Sequence, residues 1–126
     1  MTASAADVIN FWFDEITPAQ RWKKDPDFDA LIRTRFFETH SRAARGELHL
    51  WREQAPGALA EVIVLDQFSR NMFRDSAEAF AYDSLALVLA QEAIRRGLDE
   101  ELSLGQKSFL YMPFMHSESA QIHTMA

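Results

Sequence analysis

Apolar residues return every three or four positions along nearly the whole chain, and only four glycines and four prolines interrupt them. That rhythm puts apolar side chains on one face of a helix and gives a sheet little to build on. No long stretch alternates strictly between apolar and polar, and the Asn-Gly and Asp-Gly hairpin signals are absent. The expectation is an all-α fold. Its 126 residues are a usual length for one domain and enough to close one core without covalent staples.

The helix boundaries are written in capping residues. Ser4 with Asp7 has the spacing of a capping box ahead of Val8, Ile9, Phe11, Trp12 and Phe13. That first helix is apolar on most sides and should be buried. Thr17-Pro18-Ala19-Gln20 opens a short second helix that stops near Lys24. Asp25-Pro26 opens a long one carrying Phe28, Leu31, Ile32, Phe36 and Ala43, with Gly46 as its stop. The loop holding Leu48, Leu50 and Trp51 is apolar enough to lie on the core. A helix is expected from Ala58 to about Met72, preceded by Pro56-Gly57. Asp75 or Ser76 caps the next element, which leads through Leu85 and Ile94 to Gly97. Ser103 and Gln106 box the start of a helix bearing Phe109, Leu110 and Met112. Pro113 should end or kink it, and Ser117-Glu118 would cap one last short helix. No linker, low-complexity tract or residue-level repeat is visible. Short connections favour stacked antiparallel helical hairpins.

Composition excludes several classes of function. A net charge of −6 argues against nucleic acid and against an anionic membrane surface. With no cysteine there is no disulfide, thiolate nucleophile, iron–sulfur cluster or Cys-ligated zinc, which fits a cytoplasmic protein. No apolar run reaches membrane-spanning length, and the N-terminus lacks the basic lead-in of a signal peptide. Ten Phe and three Trp foretell an aromatic core.

Two clusters could carry chemistry. In the first, Leu65 to Arg74, Asp66 and Arg70 are four apart, as are Arg70 and Arg74, so one face of an apolar helix presents acid, base and base with Gln67 and Asn71 beside it. This is either an intrahelical salt bridge that ties down the following loop or an anion-binding face built on planar guanidinium forks. The second, Phe109 to Glu118, joins Tyr111, His116 and Glu118, all able to exchange protons, to a proline-broken helix. Its bland alternative is an apolar plug with a satisfied histidine. His40, His49 and His123 look like surface or terminal residues, with His49 partly buried. Ser69 and Ser117 assemble into no triad. The zinc-deaminase, His-Glu-x-x-His, di-iron, P-loop and dinucleotide motifs are all absent. No metal or cofactor is expected, although His116, Glu118 and Asp66 could offer nitrogen and oxygen ligands.

These same clusters carry a resemblance. Leu65-Asp66-Gln67-Phe68-x-Arg70-Asn71-x-Phe73-Arg74 followed by Phe109-Leu110-Tyr111-Met112-Pro113-Phe114-Met115-His116-Ser117-Glu118 resembles DUF924, a bacterial family of unknown function with a tetratricopeptide-like helical fold. Phe11-Trp12-Phe13, Trp22, Asp25, Phe28-Asp29, Phe80, Asp83, Leu85 and Gly97 match its pattern too. The resemblance implies one domain, residues 1–126, of stacked helical hairpins, and no activity. Members often have Pro where this chain has Ser69, and they usually continue with further C-terminal helices. Without such helices an apolar face would invite self-association into a homo-oligomer.

Two functional readings stay open beside a purely structural one. The first is a binding or interaction module for a protein partner. The alternative is a binding protein or enzyme for a small anionic ligand, using Asp66, Arg70, Asn71, Tyr111, His116 and Glu118. Arg70 and His116 must then converge. In the structural reading Asp66, Arg70 and His116 fix helix register.

Overall fold

The computed structural model describes the backbone of residues 3–125 and the side chains of residues 3–117. Among the described residues seven α-helices follow one another: α1 (Ala5–Asn10), α2 (Pro18–Trp22), α3 (Pro26–Ala44), α4 (Ala55–Ile63), α5 (Ser69–Met72), α6 (Asp83–Arg95) and α7 (Leu104–Met125). No strand occurs among the described residues. Two π-helical turns extend helices, Phe11–Glu15 after α1 and Val64–Phe68 between α4 and α5. Single 3-10 turns fill three connections, at His49–Glu53, Ala77–Phe80 and Leu98–Glu101.

The caps read from sequence set the starts. Ser4 and Asp7 exchange bonds at 2.9 and 3.1 Å, and Thr17 and Gln20 do so at 2.8 and 3.4 Å. Asp25 accepts from the backbone of Asp27 and Phe28, and Ser103 and Gln106 close a further box. Ser76, not Asp75, caps the Ala77–Phe80 turn. Gly97, at φ 77°, takes the left-handed conformation that lets the chain leave α6.

The continuous helical run from α4 through the π turn to α5 is the centre of the molecule. Every residue from Gly57 to Ser69 is buried. A helix surrounded in this way is mostly apolar on every side, and its buried polar side chains, Glu61, Asp66, Gln67 and Ser69, need partners. α4 packs on α1, α6 and α7, while the π turn and α5 lie on α3. Aromatic rings knit the layers: Phe36 and Phe68 lie 4.8 Å apart, Phe11 and Phe36 5.0 Å, Trp12 and Phe109 5.6 Å. Each such ring contributes roughly 2–3 kcal/mol on burial.

Four expectations need correction. Pro113 does not end its helix: α7 runs through it, and no separate helix starts at Ser117. Phe109, Leu110 and Pro113 are all buried at three- and four-residue spacing, so packing of that inner stripe offsets the lost backbone bond. His40 is not on the surface but 2% exposed, wedged between Phe73 and Tyr82 and 2.7 Å from the Ser69 hydroxyl. Leu50 points outward from an otherwise core-lying loop, in which Leu48 is buried and Trp51 packs on the core. His49 is exposed. The His123 side chain lies outside the described residues.

Candidate functional site

The polar residues of the central run have to be paired where they are buried. Asp66 has no exposed side-chain surface. Its Oδ2 accepts from Gln67 Nε2 at 2.8 Å, and its Oδ1 accepts from His116 Nδ1 at 2.8 Å and from Arg70 Nη1 at 3.3 Å. A carboxylate surrounded by donors is acceptor only. His116 Nδ1 therefore carries a proton, and in the neutral ring Nε2 is the free acceptor. His116 faces inward because it stands three residues after Pro113, on the same buried stripe of α7.

Arg70 spans two carboxylates. It also bonds the Asp66 carbonyl at 2.8 Å and forks onto Asp83, the first residue of α6, at 2.9 and 3.0 Å. Its guanidinium lies over the Phe80 ring. One turn on, Arg74 forks onto Asp29 of α3 at 2.7 and 3.2 Å, and Asn71 donates to the same carboxylate at 2.9 Å. The Asp29 bonds hold Arg74 firmly in its charged form.

A third arginine comes from α2. Arg21 Nε and Nη2 donate to the Trp12 carbonyl at 3.1 and 2.8 Å. That carbonyl belongs to the last turn of its helix, where backbone acceptors lack helical partners. The guanidinium packs over Trp12, Phe13 and Phe109, with centroid distances of 5.7, 5.2 and 5.3 Å. Burial lowers its pKa. No carboxylate pairs with Arg21 among the described residues, in contrast to Arg70 and Arg74.

These groups share a cavity of about 160 Å³, walled by Arg21, Trp22, Gln67, Arg70, Asn71, Arg74 and His116. A second cavity, about 390 Å³, lies on the Phe80 side of Arg70 and Arg74. A larger one, about 420 Å³, opens between α1 and the Trp51–Gly57 segment, and its walls hold no cationic side chain. Charge and hydrogen-bonding groups converge on the smallest of the three.

The structure thus brings Asp66, Gln67, Arg70, Asn71, Arg74 and His116 together. It separates Tyr111 from them: its hydroxyl donates to Asp99 at 3.0 Å, which raises the phenol pKa. Tyr111 precedes His116 by five residues, which turns it well away around the helix. The Glu118 side chain lies outside the described residues. Residue spacing alone did not single out Arg21, Asp29 and Asp83; their partners are tens of residues distant or on another element, as with Asn71 and Asp29, 42 positions apart. The signal available was the recurrence of Trp22, Asp29 and Asp83 in the resemblance. Ser69 is no activated nucleophile. Its hydroxyl donates to the Leu65 carbonyl at 2.6 Å, so His40 Nε2 donates to it in turn. Among the described residues no three His, Asp or Glu side chains gather as metal ligands, and no helix is long and apolar enough to cross a membrane.

An all-helical domain with a paired-arginine cavity is the class that fold and cluster define. Residues 8–126 match the family described as bacterial protein of unknown function (DUF924), and the chain belongs to it. It is similar to a solved protein of unknown function from Agrobacterium tumefaciens, at 45% identity over 89% of this chain with a TM-score of 0.85. The match covers 63% of that structure's length. No curated protein matches the chain.

Proposed function

We propose that this domain binds a small anion in the Arg21–His116 cavity. One observation carries the reading: Arg21 is a partly buried guanidinium without a carboxylate partner among the described residues, in the wall of a cavity whose other arginines are already neutralised. A desolvated cation of that kind gains from a counter-ion. Arg74 and Arg70 are held rigidly by Asp29 and Asp83, so they shape the walls at little further entropic cost. Asn71 and Gln67 add amide groups, and Trp22, stacked on Phe109 and 64% exposed, forms a rim. A volume of about 160 Å³ suits a ligand head group of a few heavy atoms.

The interaction-module reading has less behind it: exposed apolar side chains among the described residues are spread over α2, α3, α6, α7 and the Leu50 and Phe80 turns, and no groove or charge pattern among them points to one partner. The test is a thermal-shift screen with small carboxylates and inorganic phosphate. A ligand at ten times its Kd stabilises the folded state by about 1.4 kcal/mol. The expected result is a rise in Tm for the wild type that Arg21→Gln loses. If no anion shifts the wild type more than the variant, the reading is wrong.

A further inference from the structure

The charges around the cavity balance. Arg21, Arg70 and Arg74 supply three positive charges, and Asp66, Asp83 and Asp29 supply three negative ones. With His116 neutral, the cluster has no net charge to offer an incoming anion. His116 is the adjustable member. Its Nδ1–H is committed to Asp66 at 2.8 Å, and its other ring nitrogen bonds to no described residue. A proton on that nitrogen would make an imidazolium flanked by Asp66 on one side and by the ligand on the other.

We infer that the site takes up its ligand as a monocarboxylate together with one proton, the carboxylate sitting against Arg21 and the proton residing on Nε2 of His116. This rests on the anion-binding reading above and names its ligand class. The balance is simple: one anionic charge enters, one proton arrives from solvent onto the imidazole, and no covalent bond to the ligand forms or breaks. A doubly charged phosphate would leave an uncompensated charge in a partly desolvated space, so it binds less well than a monocarboxylate of similar size. Asp66 of the π turn bonds His116, and the polar and charged groups that share its cavity are Gln67 of the π turn, Arg70 and Asn71 of α5, Arg74 just beyond it, and Arg21 of α2. Asp83 of α6 reaches it through Arg70. Uptake of one proton with the ligand makes the apparent affinity fall as pH rises, by up to about tenfold per pH unit.

Acetate is the probe, and acetamide its uncharged counterpart of the same shape. Long-range proton–nitrogen spectra of the full chain with labelled histidine rings, at mildly alkaline pH, read His116 directly. Without ligand the ring should show the Nδ1-protonated tautomer. With saturating acetate both ring nitrogens should become protonated, and acetamide should leave the ring unchanged. Arg21→Gln should lose the acetate response. If acetate perturbs the Arg21 side-chain signal while the His116 ring stays neutral, proton uptake is overturned and anion binding stands. If acetate perturbs neither residue, both fail.

Discussion

Replacing Asp66 with asparagine keeps the shape of a side chain that has no exposed surface while removing its charge. The amide oxygen can still accept from His116 and Arg70. Its NH2 group, however, meets the Gln67 amide that now donates to Oδ2 at 2.8 Å. Gln67 must flip, and its own NH2 then needs a new acceptor in a position only 6% exposed. Arg70 keeps its fork on Asp83 and is not orphaned. The loss is therefore the charge assistance on two bonds plus one compromised amide, about 2–3 kcal/mol in all. For a domain of this size that is a fall in Tm of roughly 10 °C. Asp83→Asn is the comparison: its side chain is 30% exposed and the partner arginine retains Asp66, so about 1 kcal/mol is expected. Urea unfolding followed by circular dichroism measures both. A loss for Asp66→Asn no larger than that for Asp83→Asn would refute the claim that the Asp66 carboxylate organises the site.

Two further outcomes follow from other parts of the fold. Burial lowers the His40 pKa to about 4 from 6.5; the unfolded chain therefore binds a proton in that interval that the folded chain does not. Stability falls as pH drops through it, by up to about 3 kcal/mol, and His40→Gln should flatten that part of a urea-midpoint-against-pH curve. Gly57→Ala places a methyl group on the Trp51 carbonyl oxygen, a backbone atom that cannot swing aside. It should cost roughly 3 kcal/mol or more by chemical unfolding.

The parts of this fold that could be read from sequence are those decided within one helical turn. The boxes at Ser4, Thr17 and Ser103 formed as spaced, and the Asp66–Arg70 pair formed at its four-residue separation. Pro113 misled because its local cost is set against the burial of its own helix stripe, which depends on α4 and α6. His40 misled for the same reason: its neighbours Phe73 and Tyr82 come from other segments. The site was half legible. Residue type and spacing picked out Asp66, Arg70, Asn71 and His116, but not that Asp83 and Asp29 neutralise the two expected arginines. That pairing leaves Arg21 as the cavity arginine without a carboxylate partner among the described residues, a ring-packed position of which its sequence neighbours gave no sign.

Arg21 is the cation proposed to meet an anionic ligand. The Nε–H signal of Arg21, titrated with acetate at constant ionic strength and compared with those of Arg70 and Arg74, tests it most directly. A saturable shift is expected at Arg21, with smaller changes at the two paired arginines. A uniform, non-saturating drift at all three, or a response confined to the exposed Arg45 and Arg95, would contradict it.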